Sequence, residues 1–310
     1  MILICLVKIY IIRDNIMEEK IYTNNLIKIK QDYLKEISNN NILDFFGDWI
    51  YNIEFLRNKF LNAAPFEHVI IDNFLEKTFA EKISKLFPKL DNNWYEYKNP
   101  IEVKYVFDNI NSLPIEIKNV FYYLSTPEII NIIKNITSIN NLEYDEFLHG
   151  AGVHLHPRYG RLNIHLDYEK HPYSGKERRL NIILFMSKDW NTNWNGSNEF
   201  WNSDVSKCIT KTDIKFNRAI LFKTNDISWH GLPDKILCPE NEFRKSLAYY
   251  YVSPLNSPKI EYNYRKKAQF TKRPEDPYDE NIQKLYNIRS NRLITKEDLN
   301  LLMPNWNPSI

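Results

Sequence analysis

From Phe147 to Val252 the chain reads as a run of short β-type segments, and no other feature constrains its fold as strongly. Gly150 to His156, Arg161 to Asp167, Leu180 to Met186, Glu199 to Trp201, Arg218 to Lys223 and Lys245 to Val252 are such runs. Gly, Asn, Asp and Pro clusters separate them, as expected of strands joined by turns. The chain before them has helical spacing instead. Residues 17–63 are polar and Asn-rich, with Leu26, Ile29, Tyr33, Leu34 and Ile37 spaced for one or two short helices. Pro65 ends that stretch, and His68 to Asp72 reads as a short apolar strand. Asp72 or Asn73 can then cap a helix starting near Leu75 and stopped by Pro88. A second helical stretch, 114–137, is interrupted by Pro127. Helices followed by many short strands imply an α+β domain whose centre is a sandwich or barrel. Past Pro254 the chain turns polar, with a helix expected at 279–289. The expected organisation is a helical extension over 1–63, a domain over 64–255 and a tail packed on it over 256–310.

Composition narrows the class of protein. Residues are 43% hydrophobic and 26% charged, ordinary for a folded domain of 310 residues. The net charge of +2 is spread without a basic block, so no nucleic-acid partner is expected. Cys5, Cys208 and Cys238 form no CxxC pair and suit a reducing compartment. The opening "MILICLVKIYII" contains Lys8 and is too short to span a bilayer, which takes about 20 apolar residues. Met17 opens "MEEKIYTNN", so residues 1–16 read as an upstream extension as readily as a leader. A cytoplasmic protein with no membrane partner is expected, of an oligomeric state the sequence leaves open.

The chemistry concentrates in "NIHLDYEKHP", Asn163 to Pro172. On a strand, alternation puts Asn163, His165 and Asp167 on one face, where an imidazole and a carboxylate reach the same point. One His-x-Asp is common by chance and reads equally well as a strand end entering a turn. His230, in "SWHG" after the apolar run "NRAILF", adds a third donor. Two histidines and one carboxylate are the ligands of non-heme Fe(II) oxygenases, although zinc accepts the same set. Fourteen residues later Arg244 and Ser246 share a strand face. A guanidinium fork with a neighbouring hydroxyl matches a carboxylate, which is what holding the far end of 2-oxoglutarate requires. His171 sits in a Lys- and Pro-containing loop and is expected to face solvent. Arg178 or Arg179 is expected to brace the loop carrying Asp167. Trp190, Trp194 and Trp201 read as packing.

These pieces resemble the prolyl 4-hydroxylase-like group of 2-oxoglutarate/Fe(II)-dependent dioxygenases. The matching segments are "PFEHVIIDNFL", "IHLD", "RRLNIILF", "GSNEFW", "NRAILF", "SWHG" and "RKSLAYYY", in the family's order over roughly 65–253. The resemblance implies a double-stranded β-helix, or jelly-roll, with N-terminal helices packed on one sheet and covering Leu162, Ile164 and Leu166. It implies His165, Asp167 and His230 as Fe(II) ligands, Arg244 as the 2-oxoglutarate anchor, and Ser246 assisting. Members often carry a tyrosine nine residues before the first metal histidine. Here that position is His156, whose imidazole can also donate a hydrogen bond. His154 and Asn163, on the same face as their neighbours in the site, are candidates for the substrate side of the cavity. The implied activity is hydroxylation of a C–H bond using O2, with ascorbate a candidate reductant, on a prolyl or other residue of a protein or peptide. Two alternatives stand beside it: a small-molecule substrate, such as a free amino acid, metabolite or glycan-linked group, and a non-catalytic jelly-roll binding module.

Overall fold

The computed structural model describes residues 41–255 and 264–309. Residues 1–16, the helices expected between 17 and 40, and Cys5 lie outside them. Residues 46–310 form one compact unit; of the other, 1–45, the described part is chiefly the 3-10 turn Ile42–Phe45.

Helix α1 (Ile53–Leu61) leads into strand β1 (His68–Ile71) and helix α2 (Lys77–Lys85). The expected caps, Asp72 and Asn73, do not cap α2. Glu76 does, its carboxylate accepting from the Phe79 amide at 2.8 Å. Asp72 is drawn away by Lys215 and Arg218, and Asn73 turns the chain at a φ of 52°. A hairpin absent from the sequence reading follows, β2 (Tyr95–Asn99) and β3 (Glu102–Phe107). Helices α3 (Ile115–Leu124) and α4 (Pro127–Thr137) come next. Pro127 opens α4 in its first turn, where the missing N–H costs nothing.

The strand series is β4 (Glu143–Tyr144), β5 (Gly152–His156), β6 (Arg161–Leu166), β7 (Glu177–Phe185) and β8 (Asn198–Trp201). It continues with β9 (Cys208–Thr212), β10 (Arg218–Lys223), β11 (His230–Leu232) and β12 (Arg244–Ser253). After residue 263 come β13 (Gln269–Phe270), α5 (Glu280–Arg289) and α6 (Lys296–Leu302). Among the described residues, antiparallel pairing joins the strands in the order β1-β10-β7-β12-β5-β3-β6-β11-β8-β9, with β2 on β3, β4 on β12 and β13 on β6.

This sheet curls. Phe185 on β7 and Phe222 on β10 share a buried cluster with Phe200 on β8, from the far half of the strand order. The Phe200 and Phe222 rings are 5.2 Å apart. Each fully buried phenylalanine contributes roughly 1.5–3 kcal/mol, so closing the two halves face to face is strongly favoured. The result is the double-stranded β-helix with helices on one side.

The N-terminal helices do not cover β6, which is where the resemblance places them. They cover β12: the Tyr251 hydroxyl donates to the Leu124 carbonyl at 2.7 Å, and Phe121 meets Tyr249. On β6, Ile164 packs instead against Trp201, Val205 and Trp229, and Leu162 against Ile101, Phe270 and Tyr286. Aromatic side chains of β8 and of the C-terminal segment supply the apolar cover that helices supply on the other half. No described helix is long and apolar enough to cross a membrane. Cys208 and Cys238 are free thiols.

Candidate metal centre and its cavity

His165 lies near the end of β6 and Asp167 just beyond it, so both point to the inside of the curl. His230 opens β11, and the antiparallel register sets it directly opposite His165. Pairing β11 with β6 thus closes a sequence gap that no local pattern could. One donor atom from each of the three residues lies within 4.8 Å of the others. Asp167 stands 3.7 Å from His165 Nε2 through Oδ1 and 3.9 Å from His230 Nε2 through Oδ2. These gaps are too long for hydrogen bonds. The donors approach a common point without bonding to one another.

Their protonation suits a cation. Each histidine places Nδ1 2.9 Å from a backbone carbonyl, of Asn163 for His165 and of Ser228 for His230. A carbonyl only accepts, so Nδ1 carries the proton and the Nε2 lone pair is left facing inward. Burial pushes His165 down to about 3 and lowers His230 as well, keeping both neutral. Burial would raise the Asp167 carboxyl, but Arg178 and the two imidazoles outweigh it and hold it well below the usual range. Two neutral imidazoles and one ionised carboxylate fit a divalent metal.

The groups around the triad fix its geometry. Arg178 Nη1 lies 3.2 Å from Asp167 Oδ1, and Asn181 Nδ2 donates to Oδ2 at 3.3 Å. Arg178 is itself clamped between the rings of Tyr168 and Tyr250, at 3.5 and 3.4 Å, and donates to the His149 carbonyl. The expected brace is therefore Arg178, bonded to the carboxylate itself; Arg179 pairs with Glu177. Phe270 of β13 stacks on His165 at 5.1 Å, and Phe222 meets His230 edge-on at 4.7 Å.

Arg244 and Ser246 lie on β12, directly opposite His156 and His154 of β5. Arg244 is 1% exposed and has no acidic partner among the described residues. Its Nε donates to the Gly196 carbonyl at 2.9 Å and its Nη1 to Ser246 Oγ at 3.5 Å, while Nη2 has no bond. Burial alone lowers its pKa to about 9. Nearby, His154 Nε2 and both ring nitrogens of His156 are buried without partners. An unpartnered buried polar group costs about 1–3 kcal/mol, and more when charged. Four such atoms on one wall of the triad's cavity, donors and acceptors both, mark a place that a polar ligand completes.

Two expected positions differ. Asn163 does not line the cavity; its Nδ2 donates to the Tyr286 hydroxyl on α5 at 2.9 Å. The start of β6 lies under the C-terminal helix, so this part of the strand face is occupied. His171 is not solvent-facing: it is 1% exposed, with Nε2 3.2 Å from Asp145 and Nδ1 accepting the Tyr173 and Ser174 amides. Sequence reasoning also missed Glu102, Lys104 and Arg289, which line the same cavity.

Residues 151–252 match the model of the 2OG-Fe(II) oxygenase superfamily, a span holding the triad and Arg244. That span holds the His165/Asp167/His230 facial triad, a metal site consistent with an active 2OG-Fe(II) oxygenase. Among solved structures it is similar to a Trichoplax adhaerens prolyl hydroxylase in complex with a hypoxia inducible factor oxygen degradation domain peptide. There the TM-score is 0.50 and the identity 16%, over 68% of this chain and 96% of that one. It is also similar to a Pseudomonas putida prolyl-4-hydroxylase, with a TM-score of 0.44 and 12% identity over 64% and 98% of the two chains. At 16% identity the Trichoplax likeness speaks for the fold alone. No curated protein sequence matches the chain.

Proposed function

We propose that this 2-oxoglutarate/Fe(II) dioxygenase hydroxylates a C–H bond of a prolyl or other residue in a protein or peptide. His165, Asp167 and His230 would hold Fe(II), and Arg244 with Ser246 would hold the far carboxylate of 2-oxoglutarate. The observation that carries the reading is Arg244: a guanidinium buried without a counter-ion, in one cavity with a metal-ready triad. The peptide substrate follows the likeness to the Trichoplax prolyl hydroxylase, whose structure holds a peptide fragment.

Iron, 2-oxoglutarate and O2 together supply the oxidant that replaces C–H by C–OH, leaving succinate and CO2. The chain's own residues bind, orient and shield. Arg178 and Asn181 keep Asp167 ionised and fixed in direction. Arg244 sets the orientation of the co-substrate through a charge-assisted pair, with a donor from His156 within the same wall. Phe222 and Phe270 exclude water from the imidazoles.

The test is purified protein with Fe(II), 2-oxoglutarate and ascorbate as reductant, offered peptide and metabolite mixtures. Succinate should appear together with a +16 Da product among the peptides, the mass of one added oxygen. Absence of succinate with every mixture contradicts the reading. A +16 Da product among metabolites alone moves the substrate to the small-molecule class.

A further inference from the structure

A second set of charged side chains lines the cavity, and the proposed handling of iron and 2-oxoglutarate leaves it unused. Glu102 of β3 is 1% exposed. One of its oxygens lies 3.1 Å from Lys104 Nζ, and the other accepts from Arg289 Nε at 3.1 Å. Two cations therefore converge on one carboxylate, and one positive charge is left over. Burial would raise the Glu102 carboxyl, but the two cations overcome it and hold it down at about 2, so it stays ionised.

The cluster is built to hold its cations in place. Lys104 lies over the Tyr97 ring at 5.1 Å, and the Arg289 guanidinium over the Phe270 ring at 5.5 Å. Phe270 is the ring stacked on His165, so Arg289 sits one aromatic residue from a metal-site imidazole. Glu102 takes up the ammonium of Lys104 and only the Nε of Arg289, which leaves further N–H groups on both for a ligand. A purely structural tie between β3 and α5 needs one cation. The second brings mutual repulsion and a desolvation cost that an ion pair alone does not repay.

The whole cavity leans the same way. Five cationic side chains line it against three acidic ones, and one of those, Asp108, has its carboxyl raised by burial. Fe(II) and the 2-oxoglutarate dianion cancel each other, so loading the site does not remove the positive excess. A substrate carrying negative charge does.

We propose that Lys104 and Arg289 recognise a carboxylate of the substrate and set it beside the C–H bond to be hydroxylated, with Glu102 as the positioning residue. The inference rests on the hydroxylase reading above and narrows its substrate to carboxylate-bearing molecules. The carboxylate has two sources, an acidic side chain or C-terminus of a peptide, or a free acid such as an amino acid. Arg289 lies outside the 151–252 span of the family model, so this specificity belongs to the hairpin and C-terminal helix of this chain.

The test uses full-length protein loaded with Mn(II) and 2-oxoglutarate, which forms the site without turnover. Melting temperature and affinity are measured against matched pairs: amino acids and their amides, and peptides with Glu or a free C-terminus against Gln or a C-terminal amide. Acids should bind roughly tenfold or more tightly than their amides, the order of one charge-assisted hydrogen bond. The arm that shows the preference names the source. Lys104→Met and Arg289→Met should each reduce the acid-to-amide ratio, and Lys104→Arg should retain it; a merely structural role would lower stability without moving that ratio. Equal binding of acids and amides, binding of neither, or a ratio unchanged in both Met variants overturns the proposal. Succinate release with neutral substrates would overturn it while leaving the hydroxylase reading intact. Failure of 2-oxoglutarate to stabilise the Mn(II)-loaded protein would remove both.

Discussion

Arg178 and Arg244 are buried equally deeply, at 2% and 1% exposure, and the protein treats them in opposite ways. Arg178 is sandwiched by Tyr168 and Tyr250, bonded to Asp167 and to the His149 carbonyl. Burial would lower its pKa, yet the tyrosines and Asp167 raise it above the ordinary value. Arg244 has a carbonyl, a distant hydroxyl and an aromatic face, with no acid, and its pKa falls to about 9. A charge with its partner in the fold is a structural part. A charge buried without one has its partner in a ligand. The carboxylate of the metal site has its cation within the fold, and Arg244 has no such counter-ion among the described residues.

Removing each arginine separates the two cases. Arg178→Met leaves Asp167 buried beside two neutral imidazoles with its cation gone. The expected loss is about 3–5 kcal/mol of stability, the usual cost of stranding one member of a buried pair. Metal affinity should fall by roughly 10–100-fold. Chemical denaturation and metal titration check both. Arg244→Met removes a charge that has no buried counter-charge to strand among the described residues. The ligand-free protein should hold its stability or gain about 1 kcal/mol, read by the same denaturation curves. A matching loss in both variants would erase the distinction.

A third arginine, Arg218, sets the lower end of the scale. Arg218 and Lys215 hold Asp72 at the solvent edge of β1 and β10, where the carboxylate is 38% exposed. The Arg218 bond, opposed by partial burial, is the main reason the Asp72 carboxyl sits at about 2 instead of near 3.8. Its folded pKa is the lower one, so its contribution is full above about 3.8 and disappears as pH falls through about 2. Solvent screening keeps it within about 1 kcal/mol. Asp72→Asn should cost no more than that at pH 7 and nothing below pH 2, seen in melts across that window.

The strand alternation around Arg161–Asp167 and the ordered appearance of His230 and Arg244 made the metal triad and the arginine that shares its cavity legible in the sequence. That legibility came from strands whose apolar residues alternate or run together. The hairpin "YEYKNPIEVKYVF" hid for the opposite reason. Glu102 and Lys104 share an inward face, so charges stand where a strand pattern calls for core, and the segment reads as polar surface. The Val103, Tyr105 and Phe107 alternation was the signal that could have revealed it. His171 was misread because Lys170 and Pro172 suggest a solvated loop. The loop folds back so that His171 meets Asp145, a contact over 26 residues that no local pattern carries. Asn163 obeyed its strand period, but the Tyr286 hydroxyl from the C-terminal helix occupies its side chain.

The measurement that bears most directly on the central claim is the stabilisation that 2-oxoglutarate gives the Mn(II)-loaded protein, compared between the natural chain and Arg244→Met. The co-substrate should raise the melting temperature of the natural chain, and the variant should need about 100-fold more of it for the same effect, as expected when a bidentate carboxylate pair is lost. Equal stabilisation of the two proteins would show that the unpaired charge at Arg244 is not what receives the co-substrate, and the account would fail at its centre.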